Sequence, residues 1–97
     1  MASEPQAALL QFAIQVRAAR AILNWSQREL ADKVTMTQRS IYRIERGDSD
    51  IRRSTMVALE TLFRDHGITF READDGTLSI NVAPNVVRFD GEAPTAN

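Results

Sequence analysis

One stretch, SQRELADKVTMTQRSIYRIERG at residues 26–47, constrains the fold of this chain most strongly. Ser26 followed three residues later by Glu29 is a capping-box pattern, in which each side chain satisfies a backbone N–H at the start of a helix. Apolar residues then recur at helical spacing: Leu30, Ala31 and Val34. The stretch therefore begins with a short helix that has one buried side.

A second short helix follows after a tight turn. Thr35 and Met36 form the predicted turn, and the hydroxyl of Thr37 is suited to cap the new helix. Gly47 marks the end of this helix, because glycine adopts a positive φ at little cost. The stretch thus predicts two helices joined by only a few residues.

The second helix has two chemically different sides when its residues are spaced by about 100° each. Ile41 and Ile44 lie on one side together with Ser40. The opposite side contains no carboxylate and consists of Gln38, Arg39, Tyr42, Arg43 and Arg46. Glutamine and arginine form paired hydrogen bonds with adenine and guanine edges in the major groove of DNA. This arrangement is typical of a helix-turn-helix, whose second helix enters that groove.

The charge of the chain is divided along its length. Residues 17–53 hold nine Arg or Lys and five Asp or Glu, whereas residues 54–97 hold three and seven. The local net charges are therefore +4 and −4, although the whole chain has a net charge of only −1. The positive part coincides with the two predicted helices, where attraction to phosphate is needed.

Length and composition limit the remaining classes. Ninety-seven residues form one modest domain, with 43% hydrophobic and 26% charged residues as in ordinary globular proteins. The sequence has no cysteine, no secretory signal pattern, and no apolar run of the about 18 residues that a membrane span needs. We therefore expect a cytoplasmic protein, associated with the nucleoid when it is bound to DNA.

Few residues are suited to catalysis or metal binding. His66 is the single histidine, and near a helix C-terminus it is expected to interact with the helix dipole. Asp74 and Asp75 are explained by a β-turn, and no further carboxylate pattern indicates a metal loop. We expect no catalysis, no cofactor and no metal site.

The chain is predicted to be mainly α, with a short β-rich end. Helices are expected at about residues 5–23, 26–33, 37–46 and 54–66, with Ser54 or Thr55 capping the last, and they form a DNA-binding domain over residues 1–67. The β-rich extension covers residues 68–90, either as an antiparallel hairpin around Asp74-Asp75-Gly76 or as three short strands that include Val86–Phe89. Residues 91–97 are expected to form a disordered tail.

An isolated hairpin is marginally stable in water, and an unpaired strand edge is a template for association. The extension is therefore expected either to pack on the helices or to join two copies of the chain in a homodimer. We favour the homodimer, and its candidate contacts are the alternating apolar residues Ile68, Phe70, Leu78, Ile80 and Val82.

The segment from about Val16 to Phe70 resembles the Cro/CI-type (Xre family) helix-turn-helix regulators of phages and bacteria. The resemblance rests on Arg20, Trp25-Ser26-Gln27, Leu30-Ala31, Val34, Thr37-Gln38, Ile41, Ile44-Glu45, Gly47 and the helix from Ser54. It implies a lambda-repressor-like domain of four to five helices. One departure is Thr35, which stands where the family usually has glycine. A β-branched residue should avoid a positive φ, so we expect a slightly reshaped turn.

The resemblance also implies roles for individual residues. Gln38 and Arg39 would contact bases, with Tyr42 and Arg43 as further candidates, although Arg43 is equally suited to a phosphate. Candidate phosphate contacts are Gln27, Thr37, Ser40, Arg46, Arg52 and Arg53. Gln27 would in addition brace Gln38. Arg20 and Glu45 would form a structural salt bridge between the first and third helices.

Three functions are compatible with this sequence. The favoured one is a dimeric transcriptional repressor that binds an inverted-repeat operator in double-stranded DNA. The second is an antitoxin that uses the same DNA-binding unit and holds a toxin through its tail or first helix. The third is an activator that contacts RNA polymerase through an acidic surface.

Overall fold

The computed structural model describes residues 3–47 and 50–87, and it confirms a mainly α chain that ends in an antiparallel hairpin. The elements are α1 (Ser3–Leu23), α2 (Gln27–Lys33), α3 (Gln38–Arg46), α4 (Arg53–Asp65), β1 (Ile68–Glu72) and β2 (Leu78–Val82). Residues 84–87 are again helical. No helix within the described ranges is long and apolar enough to cross a membrane.

The chain divides into two compact units, with the boundary between Leu59 and Glu60 inside α4. The first unit has a core to which all of its helices contribute. The fully or almost fully buried apolar residues of this unit are Phe12, Ala13, Val16, Ala19, Leu30, Ala31, Ile41, Ile44 and Leu59. Within this unit α3 packs against both α1 and α2, so its position is determined by the two helices that precede it.

The turns after α1 and α2 have the same hydrogen-bond pattern. In each, one N–H bonds to a carbonyl five residues earlier: Trp25 to Arg20 at 2.9 Å, and Met36 to Ala31 at 2.9 Å. These are Schellman motifs, which require a residue in the left-handed region. The residue in that position is Asn24 after α1 and Thr35 after α2.

Thr35 has a φ of 57°, so the expectation of a reshaped turn is wrong. The turn keeps the geometry that suits glycine, and the threonine accepts a conformational cost of roughly 1–2 kcal/mol. Packing of α3 against both α1 and α2 provides the stabilisation that holds this conformation. Gly47 after α3 has a φ of 70°, as expected for its position.

The start of α4 differs slightly from the prediction. The N–H groups of Thr55 and Met56 donate to the carbonyl of Arg52, so Arg52 occupies the capping position and the helix begins at Arg53. The predicted caps Ser54 and Thr55 instead lie in the first turn of the helix.

The second unit contains the end of α4 and the hairpin. In the hairpin Ile68 is opposite Val82 and Phe70 is opposite Ile80. Residues 73–77 separate the strands. The hydrogen bond from the Ala73 N–H to the Thr77 carbonyl closes a three-residue turn that ends with Gly76 at a φ of 90°, a common hairpin geometry. The Thr77 N–H donates to the carboxylate of Asp75 at 2.9 Å, and this bond lowers the pKa of Asp75 below its ordinary value.

The apolar side of the hairpin packs against α4. The rings of Phe63 and Phe70 meet edge to face, with their centres 6.1 Å apart. Ile68 has 0% exposure, so its side chain, unlike the backbone at the strand edge, is not accessible to a second copy in this conformation. Its side chain fills the core of its own unit. The other four candidate dimer contacts remain partly exposed.

The predicted third strand at Val86–Phe89 is wrong for its described part. Residues 84–87 are helical, with proline in the first helical position, where its missing N–H is not needed. Val86 is buried and approaches Gly67 so closely that a Cβ atom there would lie 2.5 Å from its Cγ2. Phe89 and the predicted tail at 91–97 lie outside the described residues.

Candidate nucleic-acid interface

The two sides of α3 differ in exposure as they differ in chemistry. Ile41 is fully buried and Ile44 nearly so, and both face the core formed with α1 and α2. Five residues predicted to contact DNA are exposed on this helix: Gln38, Arg39, Tyr42, Arg43 and Arg46. Because the apolar side chains hold the helix inward, the polar side faces solvent.

A network of hydrogen bonds fixes α3 from the inside. The Arg20 guanidinium donates to both carboxylate oxygens of Glu45, from Nε at 2.7 Å and from Nη2 at 2.9 Å. Its Nη1 donates to the carbonyl of Trp25 at 3.0 Å. The predicted salt bridge between Arg20 and Glu45 is therefore present, and it also ties down the turn after α1.

Glu45 is only 4% exposed, and all its partners come from other elements. The hydrogen bonds to its carboxylate raise the pKa of Arg20 above its ordinary value, although burial opposes this effect. A buried carboxylate is tolerated because its charge is compensated by hydrogen-bonded partners. The network therefore orients α3 without placing a negative charge on its outer side.

Gln27 belongs to the same network. Its Nε2 donates to Glu45 Oε1 at 3.0 Å, rather than bracing Gln38 as the resemblance implied. Nevertheless, Gln27 lines a shallow depression together with Gln38, Arg39 and Tyr42. Three of the four predicted base-contacting residues thus share one surface with the first residue of α2. Arg43 is exposed on the same helix but does not line this depression.

Tyr42 and Arg46 interact with each other on the outer side of α3. The guanidinium carbon of Arg46 lies 5.5 Å from the centre of the Tyr42 ring, and its Nη1 donates to the Tyr42 hydroxyl at 3.3 Å. Tyr42 remains 47% exposed. This contact places a positive charge about two turns further along the helix from Gln38 and Arg39.

Two hydroxyl groups, those of Thr37 and Ser40, lie at the start of α3. The hydroxyl of Thr37 accepts the Ser40 N–H at 3.0 Å and donates to the Ser40 hydroxyl at 2.8 Å. With its own proton used in the cap, Thr37 is less suited to donate to a phosphate than Ser40, whose hydroxyl proton is available. Ser40 lines a second depression together with Arg52, while Arg53 is exposed at the start of α4.

Two features of this surface escaped prediction. Asp50 lines the same depression as Arg52 and lowers the positive potential there. The closeness of Asp50 to Arg52 in the sequence could have indicated this effect. The bond between Gln27 and Glu45 joins residues 18 positions apart, and no local pattern indicates it.

Two short helices, a tight turn and an outward basic side define the chain as a DNA-binding helix-turn-helix protein of the transcription-regulating class. A helix-turn-helix family profile matches residues 16–64, about half of the chain. The chain belongs to this family, of the Cro/CI (Xre) type. Comparisons with curated proteins and with solved structures give no significant match.

The described part of the chain offers little for other chemistry. No group of three or more His, Asp or Glu residues within it is arranged to hold a metal ion. Proteins of this family regulate through DNA binding and are typically not enzymes.

Proposed function

We propose that this protein is a sequence-specific transcriptional repressor that binds an inverted-repeat operator as a homodimer. The outer side of α3 carries the proposal. It presents Gln38 and Arg39 near the N-terminus of the helix, where helix-turn-helix proteins contact base edges. Arginine is suited to guanine, glutamine to adenine, and the exposed Tyr42 to a thymine methyl group.

Phosphate contacts would position α3 in the groove. Gln27, Ser40, Arg46, Arg52 and Arg53 are the candidates, and the positive charge of residues 17–53 favours this role. These contacts add affinity for any sequence, whereas the base contacts discriminate among sequences. The protein would act in the cytoplasm, on nucleoid DNA.

A homodimer would present two copies of α3 to two half-sites. The half-sites would lie about 34 Å apart, one turn of the duplex, on the same side of the DNA. Binding at such a site within a promoter would exclude RNA polymerase and repress transcription. The partly exposed apolar residues Phe70, Leu78, Ile80 and Val82 belong to the hairpin through which we propose that the two copies associate.

The test is selection of bound duplexes from a random DNA pool with the full-length chain. Enrichment of an inverted repeat with half-sites one turn apart is expected. The Gln38→Ala/Arg39→Ala variant, selected in parallel, should lose the enriched motif, because both substitutions are at exposed positions and leave the core intact. A parent selection with no enriched sequence would contradict the proposal. An enriched site without symmetry would contradict the dimer alone.

A further inference from the structure

The hydrogen-bond register of the hairpin shows which backbone groups face outward. The Ala73 N–H donates to Thr77 and the Ala83 N–H donates to Gly67, each at 2.8 Å. Hydrogen-bonded pairs alternate with non-bonded pairs in an antiparallel ladder. Counting from these two bonds, the non-bonded pairs are Ile68–Val82, Phe70–Ile80 and Glu72–Leu78.

The N–H and C=O groups of Ile68, Phe70 and Glu72 are therefore directed away from β2, along the outer edge of β1. The only sheet formed by the described residues is this pair of strands, so that edge has no strand partner within the described chain. Unpaired strand edges of this kind favour association with another strand.

A groove runs beside this edge. The groove is lined by Ile68, Thr69 and Phe70 of β1 and by Glu60 and Arg64 of α4, it is open to solvent, and its volume is about 300 Å³. An added strand would thus meet both open backbone groups and a pair of opposite charges.

The two charges in the groove are not used to neutralise each other. Glu60 and Arg64 are one helical turn apart, but no ion pair joins them in the described structure; Arg64 Nη2 instead donates to the Thr61 hydroxyl at 3.4 Å. A surface with one acid and one base side by side is self-complementary under two-fold symmetry, because each charge can meet its opposite on a second copy.

We propose that a second copy of this chain pairs with the outer edge of β1, forming a four-stranded antiparallel sheet across a two-fold axis at Phe70. Outward groups of Ile68 would bond to those of Glu72 in the other copy. Glu60 of each copy would face Arg64 of the other. The inference rests on the homodimer of the proposed function and specifies its surface.

Charge reversal with complementation tests this surface. Glu60→Arg alone places two positive charges opposite each other, and Arg64→Glu alone places two negative ones. Each variant should dimerise roughly tenfold more weakly than the parent in sedimentation equilibrium. Mixed together, the two variants should form a heterodimer of near-parental affinity, because every charge then faces its opposite.

Asp65→Arg and Arg28→Glu are the matched controls. They make the same charge changes at exposed positions that do not line the groove, and should leave self-association unchanged. Thermal unfolding of all four variants checks that folding is retained. Dimerisation of both groove variants at parental strength would overturn the proposal, as would a mixture that associates no better than its components.

Amide hydrogen exchange distinguishes the two edges of the hairpin. As protein concentration rises through the dimerisation range, the outward amides of Phe70 and Glu72 should become protected. The outward amides of Leu78 and Ile80 in β2 are the internal control and should exchange at a constant rate. Protection confined to β2, or a parent chain that stays monomeric, would overturn the β1 interface.

These measurements need no DNA, so their failure differs from failure of the proposed regulator. A monomer that still selects a specific DNA sequence would retain the DNA-binding function and lose this interface. A dimer through β1 that selects no sequence would retain the interface and lose the regulator.

Discussion

The two sides of α3 carry polar and charged side chains that differ in their exposure to solvent. On the inner side, Glu45 is nearly inaccessible and receives hydrogen bonds from Arg20 and Gln27. On the outer side, Tyr42 is about half exposed and Arg46 lies against its ring. Both sides use polar side chains, and the inner ones connect α3 to α1 through Arg20 and to α2 through Gln27.

The comparison separates stability from recognition within one nine-residue helix. A buried ion pair is expensive to break, because the remaining charge loses its compensation. An exposed contact contributes little to folding, because water replaces it. We therefore expect inner substitutions to alter folding and outer substitutions to alter DNA binding.

The largest expected effect comes from Glu45→Ala. It leaves Arg20 and Gln27 without their acceptor and should lower the free energy of unfolding by roughly 2–4 kcal/mol, the lower part of this range reflecting partial access of water to Arg20. Chemical denaturation measures the change. Arg43→Ala, a charge removal on the outer side, is the control and should alter stability by about 0.5 kcal/mol or less. Equal losses would break the distinction between the two sides.

Arg39→Ala tests the outer side directly. It should weaken binding to the selected operator by about 1–3 kcal/mol and leave binding to unrelated DNA almost unchanged. Titrations of both duplexes at one salt concentration give the two affinities. If both affinities fall equally, Arg39 contacts phosphate and not a base.

Thr35→Gly should have a smaller effect, and of opposite sign. Glycine removes the steric conflict at a φ of 57° but increases the entropy of the unfolded chain, so a net gain of about 0.5–1 kcal/mol in stability is expected. Denaturation measures this gain, and the operator sequence preference should stay the same. A lower stability would show that the threonine methyl group contributes packing that outweighs its strain.

Arg53→Ala should have the smallest effect. Loss of one phosphate contact should lower the slope of log affinity against log salt by about one unit while the preferred sequence is retained. Asp65→Ala, at the other end of α4, serves as the comparison and should leave the slope unchanged. An unchanged slope for Arg53→Ala would remove this residue from the interface.

Local patterns predicted most of the helical part of this chain. Helix limits at Ser26, Thr37 and Gly47 depend on capping groups that lie within a few residues, and these agree with the structure. The turn at Thr35 could not be predicted, because its conformation depends on whether tertiary packing offsets local strain. The conformational preference of a β-branched residue alone predicts a negative φ at this position.

The candidate site was predictable in its outer residues and not in its support. Exposure of Gln38 and Arg39 follows from helical spacing around Ile41 and Ile44. The partner of Gln27 depends on the distance between α2 and α3, which no local pattern contains. The prediction of a third strand after the hairpin was wrong for a similar reason. The local sequence at Val86 is compatible with a strand or a helix, and the helix is accompanied by close packing of Val86 against Gly67.

The hydrogen-bonded support beneath α3 has an evolutionary consequence. Because Ile41, Ile44 and Glu45 make the connections to the rest of the first unit, the outward positions can vary without loss of the fold. Duplicated copies of such a gene could diverge to new operators by a few substitutions on one helix. The same property makes α3 a natural starting point for engineering regulators that do not interfere with one another.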